Sequence, residues 1–200
     1  MYLSKVHVSW PKARDPYELH RLLWTLFPGY EREQRSFLFR VEQERRGVGS
    51  ELLVQSEWAP NNQAAEVRVL AARTYLPTLK HGQLLRFRLT GNPVKTIKDE
   101  KGRRNAKDEI KACRVPLIKE EQQLEWLHRK LHAAARVDSA VVHSVRSLYF
   151  RKGGRAGKIA AVTFDGILEV VEPEQLWRQV RAGIGPAKGF GCGLLSIARM

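Results

Sequence analysis

The sequence predicts an α+β protein made of two tandem domains, of which the first is less regular. Segments with apolar residues at every second position, typical of strands, alternate with segments whose apolar residues recur at helical spacing. In the second half of the chain they follow the order β-α-β-β-α-β, the ferredoxin-like pattern. The first half gives β-α-β-β with an uncertain end. We therefore divide the chain into residues 1–78 and 83–200, joined near residues 76–83.

The first half begins with a strand and a capped helix. Residues 2–8 place alternate side chains on one face, namely Tyr2, Ser4, Val6 and Val8. Asp15 can cap the helix that follows, Pro16 suits its first position, and Gly29 with the preceding proline ends it. The helix carries an apolar stripe of Leu19, Leu22, Leu23 and Leu26. Two strands follow at 36–43 and 51–56, joined by the polar turn ERRGVGS, and residues 67–76 are a candidate further strand.

The second half supplies a complete set of elements. We predict strands at 83–92, 140–150, 158–171 and 192–199, and helices at 120–136 and 172–183. The first of these strands alternates clearly, with Leu85, Phe87 and Leu89 on one face. Gly183 fits the C-cap of the second helix. Because this sheet is also the architecture of RNA-recognition (RRM-like) domains, we looked for their aromatic motif, and it does not occur.

The charge balance indicates a polyanionic partner. The chain has 35 Lys and Arg against 21 Asp and Glu, a net charge of +14. Nucleic acid and anionic membranes both attract such a surface. The chain has no run of about 18 apolar residues and no signal-peptide pattern at its start, so we expect no membrane partner. Cys113 and Cys192 match no zinc spacing, and reduced thiols indicate a cytoplasmic protein.

Two basic segments are candidate RNA contacts. The hairpin FRKGGRAGKI places four cations around three glycines: Arg151, Lys152, Arg155 and Lys158. It is either a solvated mobile turn or a surface that follows the phosphates of a duplex. The segment 92–114 carries further cations interleaved with acids, among them Lys95, Lys98, Arg103 and Arg104. It is either a charged surface insertion or an RNA contact that becomes ordered on binding.

A glycine-rich loop lies between the last helix and the last strand. It contains Gly183, Gly185, Gly189, Gly191 and Gly193. In mononucleotide motifs the glycines follow a strand and open a helix, whereas here the order is reversed. We expect either a loop that lets an RNA backbone approach closely, with Lys188 as a charge within it, or a helix cap followed by a tight turn.

Among six histidines, His20 is the candidate catalyst. It lies about 100° from the centre of the leucine stripe, on the half-exposed shoulder of the first helix, with Tyr17 and Trp24 on the same side. A plain surface histidine is the alternative. His128 and His132 share the flank of another helix, and we interpret them as a solvated edge. No histidine or cysteine pattern matches a metal site, so we expect no metal and no cofactor.

Several stretches together resemble the CasE family, the CRISPR RNA-processing endoribonucleases of type I-E systems. They include MYLSKV, YELHRLLWTLFPG, GNPVKTIKD, CRVPLIK and GIGPAK followed by GCGLLSIA. The resemblance extends from Met1 to Ala198. It implies a metal-independent endoribonuclease that cuts CRISPR repeat RNA at the base of a stem-loop hairpin. It also implies that the protein stays bound to the product, as a partner of the other Cascade subunits.

The resemblance also implies roles for particular residues. The family's Y-x-x-H helix matches Tyr17 and His20, which would orient or transfer a proton. Lys158 would stabilise charge on the phosphate, and with Arg155 it would contact the RNA backbone. The terminal loop keeps Lys188 and the glycines of the motif, Gly189 and Gly191 among them. A non-catalytic RNA-binding subunit of a ribonucleoprotein, with an inert His20, is the alternative from a different class.

Overall fold

The computed structural model describes residues 1–13, 15–30, 36–61, 66–99, 101–104, 108–110, 112–152 and 155–200. Of residues 151, 152 and 155 it describes the backbone only. In these parts of the chain two four-stranded antiparallel sheets and one small two-stranded sheet are formed. No helix in the described parts is long and apolar enough to cross a bilayer.

The first sheet is formed by strands from the first 74 residues. Its strands are β1 (Tyr2–Ser9), β2 (Phe37–Arg45), β3 (Gly49–Ser56) and β4 (Val67–Thr74). Their spatial order is β2-β3-β1-β4. Helices α1 (Trp10–Ala13) and α2 (Pro16–Leu23) and a 3₁₀ turn (Trp24–Leu26) connect β1 to β2. The described residues between β3 and β4 contain no helix, so this unit departs there from the β-α-β-β-α-β pattern.

The second sheet repeats the strand arrangement of the first. Its strands are β5 (Leu84–Gly91), β8 (Ala135–Lys152), β9 (Arg155–Val170) and β10 (Leu195–Arg199), with helices α3 (Glu120–Leu131) and α4 (Pro173–Ala182) in the connections. The spatial order β10-β5-β9-β8 places the first strand between the fourth and the third, as in the first sheet. The predicted class of two tandem ferredoxin-like domains is confirmed. The exact limits 1–78 and 83–200 stay a prediction.

Each sheet has its own apolar core, and the predicted stripes lie in it. Ser4, Val6 and Val8 are buried along β1. The leucines of the first helix pack with Phe37 and Phe39, except that Leu22 is only partly buried. In the second domain Leu85, Phe87 and Leu89 pack against Trp126, Leu127 and Leu131 of α3. Amphipathic spacing therefore predicted which faces are buried.

Four elements of the second domain differ most from the prediction. The helix predicted at 120–136 ends at Leu131, because Ala135 pairs with Val170 and starts β8. The strand predicted at 140–150 is for that reason 18 residues long. A short hairpin of β6 (Val94–Lys98) and β7 (Ala112–Pro116) lies inside the charged segment between β5 and α3. Its apolar residues are too few to give a strand pattern in the sequence.

A buried arginine joins the two domains. Arg40 on β2 is 4% exposed, and its guanidinium donates hydrogen bonds to the carbonyl oxygens of Arg88, at 3.0 Å, and Leu194, at 3.4 Å. Glu42 accepts a further bond from Arg40 Nε at 2.8 Å. Burial lowers the pKa of Arg40, and the neighbouring Glu42 acts in the opposite direction. Burying a charge costs free energy unless the charge is paired and hydrogen-bonded. The bonds of Arg40 therefore hold β2 in place against β5.

Other polar contacts also join the two domains, and we call the boundary along which they and the Arg40 bonds lie the seam. Gln55 Nε2 donates to the carbonyl oxygen of Val180 on α4 at 2.8 Å. Arg181 on the same helix pairs with Glu57 at 2.9 Å. Arg146 on β8 forms an ion pair with Glu44 on β2. The first domain is thus tied to helix α4 at one side and to strand β8 at the other.

Candidate nucleic-acid interface

Helix α2 carries Tyr17 and His20 in a fixed orientation. Asp15 caps the helix, and its carboxylate accepts a hydrogen bond from the backbone N–H of Tyr17 at 2.7 Å. Leu19 and Leu23 are buried, which places His20 on the half-buried shoulder that the spacing predicts. The ring centroid of His20 lies 5.6 Å from that of Phe37. Tyr17 is one helical turn away from His20, so both side chains can reach the same ligand.

The glycine-rich loop packs against this helix. Residues 188–190 form a 3₁₀ turn that contacts α2. Four of the loop glycines, Gly183, Gly185, Gly191 and Gly193, have positive φ angles. A Cβ atom at Gly191 would lie 3.2 Å from the Phe39 ring. Because the fold itself requires glycine at these four positions, the helix cap with a tight turn accounts for most of the motif.

Lys188 has a structural contact inside the loop. Its Nζ donates a hydrogen bond to the carbonyl oxygen of Ala182, at the end of α4, at 2.7 Å. A cation is favoured at this end of a helix. Gly189, inside the 3₁₀ turn, does not have the positive φ of its four neighbours.

The basic hairpin of β8 and β9 contacts the same loop. Phe150 lies over Gly157, where a Cβ atom would come within 2.3 Å of the ring. The centroid of Phe150 is 4.5 Å from that of Phe190 in the loop. Lys158 is exposed, and its Nζ lies 5.6 Å from the ring centroid of Tyr149. Arg151, Lys152 and Arg155 were also predicted here, and their side chains lie outside the described parts.

A cleft between the domains brings the three elements together. It has a volume of about 270 Å³ and is lined by α2, by β8 and by the glycine-rich loop. Pro16, Leu19, Tyr149, Phe190 and Gly191 are among its lining residues. The sequence analysis did not single out Phe37, whose ring contacts His20, nor Phe150 and Phe190, which connect the hairpin to the loop. An isolated aromatic residue in a strand or loop gives no pattern that separates a site from a core.

The predicted contacts in the charged segment are placed differently. Arg103 pairs with Asp99 at 2.5 Å, and Arg104 pairs with Asp108 at 2.7 Å. Lys95 and Lys98 are exposed on β6. Among the described residues, β6 and β7 contact mainly each other. The paired arginines favour the interpretation of a charged surface insertion.

A charge network supports the second sheet behind the cleft. Arg88 donates two hydrogen bonds to Asp165, from Nε at 2.6 Å and from Nη2 at 2.8 Å. These bonds hold the pKa of Asp165 below its usual range. His143 lies 3.5 Å from the same carboxylate. Within the described parts of the chain, no group of three His, Cys, Asp or Glu side chains is placed to hold a metal ion.

The fold and the site together define a two-domain protein of the ferredoxin-like class. Its two sheets enclose a cleft, and the histidine-bearing helix α2 and a basic hairpin lie at the edge of that cleft. The family model described as "CRISPR associated protein" matches residues 1–199. CRISPR system Cascade subunit CasE of Escherichia coli K12 is 46% identical over 198 residues, which are 99% of each chain. The chain belongs to the CasE family of CRISPR-associated proteins, as the sequence motifs indicated.

Two further comparisons agree with this assignment. CRISPR-associated endoribonuclease Cse3 of Thermus thermophilus is 32% identical over 222 residues, covering 99% of this chain and 100% of Cse3. The crystal structure of Cas6e from Escherichia coli K-12 superimposes with a TM-score of 0.86 and 44% identity, over 100% of both chains. The fold predicted from the order of elements is therefore that of solved members of the family.

Proposed function

We propose that this chain is a metal-independent endoribonuclease of the cytoplasm that binds the stem-loop of CRISPR repeat RNA. It cuts the precursor at the base of the stem and then remains bound as a Cascade subunit. One observation carries the proposal. The half-buried His20 lies on a helix that contacts both the glycine-rich loop and strand β8 of the basic hairpin. The name of Cse3 supports the endoribonuclease activity, and the name of CasE supports the role as a Cascade subunit.

The reaction needs no group that the protein lacks. The RNA 2′-oxygen attacks the adjacent phosphorus and loses its proton, while the bond to the 5′-oxygen breaks and that oxygen gains a proton. The products are a 2′,3′-cyclic phosphate and a 5′-hydroxyl. His20 transfers a proton in this scheme, and Tyr17 orients or shares it. Lys158 stabilises the negative charge on the phosphorane.

Binding uses cations around the cleft. Arg151, Lys152, Arg155 and Lys158 of the hairpin contact phosphates of the stem, and the loop at Lys188, Gly189 and Gly191 meets the backbone near the cut. Phosphate contacts of this kind give affinity and position without reading sequence. Lys95 and Lys98 add exposed charge at the β6–β7 hairpin. Arg103 and Arg104, which pair with acids of their own segment, add charge in the same insertion.

A cleavage assay with two histidine variants tests the proposal. Repeat hairpin RNA is incubated in EDTA with the wild type, His20→Ala and His128→Ala, which removes an exposed histidine on α3. We expect one discrete cut with 5′-hydroxyl ends by the wild type and by His128→Ala. His20→Ala should cut slower by about 10²–10⁴, because it loses general acid–base catalysis, and should bind within a few-fold of the wild type.

The results separate the two classes of protein. If the wild type binds the hairpin and never cuts it, the chain is a non-catalytic RNA-binding subunit. If His20→Ala cuts at the wild-type rate, His20 has no role in the reaction. Cleavage that requires magnesium and leaves 5′-phosphates would contradict the mechanism itself.

A further inference from the structure

A second cavity, which we call the basic pocket, lies on the side of the seam where β2 begins. It has a volume of about 650 Å³, which is within the range of small-ligand sites. Its lining includes Ser36 and Phe37 of the first domain and Gln55 at the end of β3. Arg178 and Arg181 of α4 and Lys188 of the glycine-rich loop face them across the seam.

The charge of the basic pocket favours an anion. Arg178, Arg181 and Lys188 line it, and Glu57 is the acid among its described lining residues. The ion pair of Arg181 with Glu57 is solvent-exposed, as is that of Arg178 with Glu174 at 3.4 Å. Exposed pairs of this kind contribute little free energy, so a phosphate can compete for both guanidiniums. The Arg178 side chain is 74% exposed and free to turn towards a ligand.

Two buried polar atoms also point to a ligand in the basic pocket. Gln55 is 2% exposed, and its Oε1 has no hydrogen-bond partner among the described residues. The buried Oγ of Ser36 has none among them either. A buried polar atom without a partner costs about 1–3 kcal/mol. Once either side chain turns towards the cavity, a ribose hydroxyl of RNA can donate to its oxygen, whereas a simple anion such as sulfate offers no donor.

The basic pocket adjoins the candidate catalyst. Phe37 lines the pocket, and its ring contacts that of His20 at a centroid distance of 5.6 Å. Lys188 lines it from the 3₁₀ turn that packs against α2. A phosphate that reacts at His20 would therefore have its neighbouring nucleotides within reach of the pocket. The interdomain cleft is lined by Pro16 and Leu19 of α2 and by β8 of the basic hairpin, none of which lines the basic pocket.

We propose that the basic pocket binds the single-stranded RNA that continues beyond the cut. This inference rests on the proposed function, because it takes His20 as the place of reaction. Arg178 and Arg181 contact the phosphates of this strand, and Gln55 and Ser36 accept hydrogen bonds from its riboses. The pocket thus holds the leaving part of the substrate, and the hairpin surface holds the part that stays.

Binding of two RNAs by two matched variants tests the inference. One RNA is the repeat hairpin ending at the cut, and the other continues beyond it, with a 2′-deoxyribose that blocks cleavage. R178Q/R181Q removes two charges from the pocket. R129Q/K130Q removes two charges from exposed residues of α3 that do not line it. Affinities are measured over a range of salt concentrations.

We expect R178Q/R181Q to bind the continued RNA about tenfold more weakly, with a salt slope smaller by about 1.4, as for two contacts to single-stranded RNA. It should bind the short hairpin like the wild type, and R129Q/K130Q should bind both RNAs like the wild type. If the two double variants lose the same affinity, or neither loses any, the pocket inference is wrong. If the wild type binds neither RNA, the proposed function fails as well.

Discussion

Replacing Gly157 with alanine should separate the basic hairpin from the glycine-rich loop. The new Cβ atom would lie 2.3 Å from Cζ of Phe150 and 2.7 Å from its Cε1. No real Cβ contact is so short, so the ring must turn away. Its partner Phe190, at a centroid distance of 4.5 Å, then loses an aromatic contact.

The loss of folding stability caused by Gly157→Ala follows from these contacts. An aromatic pair is worth about 0.5–1.5 kcal/mol. Exposing part of a phenylalanine ring adds about 1 kcal/mol, a fraction of what its full burial gives. Alanine in a strand recovers about 0.5–1 kcal/mol relative to glycine. The net loss is about 1 kcal/mol, which lowers the melting temperature by about 2–4 °C for a chain of this size.

A double-mutant cycle measured by calorimetry checks this reasoning. Gly157→Ala is introduced into the wild type and into Phe150→Ala, where the ring is absent. The substitution should lower the melting temperature of the wild type and raise that of Phe150→Ala, because only the strand preference then remains. A higher melting temperature in both backgrounds would refute the packing argument. Under the proposed function, Gly157→Ala should also cut hairpin RNA more slowly.

Three further expectations follow. Because Arg88 lowers the pKa of Asp165, their pair stabilises the fold above the unfolded-state pKa of about 3.9, and this stability is lost as the pH falls through the folded-state pKa. Asp165→Asn should remove the loss of stability at low pH that this pair causes, as measured by acid unfolding. An unchanged acid unfolding curve would contradict the role of the pair. Gly191→Val should destabilise the fold, since φ is +82° and Phe39 is close; a wild-type melting temperature would disprove this. Lys188→Gln should lower the salt slope of hairpin binding by about 0.7–1, and an unchanged slope would exclude a phosphate contact.

Most of the fold could be predicted from local sequence patterns. The Asp15 cap, the alternation along β5 and the C-cap at Gly183 each depend on residues close together in the chain, and the structure has all three. The position of His20 on the helix shoulder follows from the same periodicity. Helix propensity failed at Ala135, where pairing with a distant strand decides the conformation.

The seam and the surroundings of the site could not be predicted. In the sequence, Arg40 looks like a polar residue of an alternating strand. Its hydrogen bonds go to the carbonyl oxygens of Arg88 and Leu194, which are 48 and 154 residues away. The contact of Phe37 with His20 lies within the first domain and that of Phe150 with Phe190 within the second, and each depends on how segments far apart in the chain pack together. Such contacts between distant segments leave no periodic signal. The glycine motif was visible, but the sequence could not tell a positive φ from an RNA contact.

The buried Arg40 has a consequence for the position of the cut. Because its hydrogen bonds tie β2 to β5 and to the residue before β10, the span between the histidine helix and the basic hairpin is set by rigid structure. Under the proposed function, this span sets a constant distance between the bound stem and the cut. A stem lengthened by one base pair near its loop would be cut at the same nucleotide counted from the base. The cutting position would shift only if the seam itself were rebuilt.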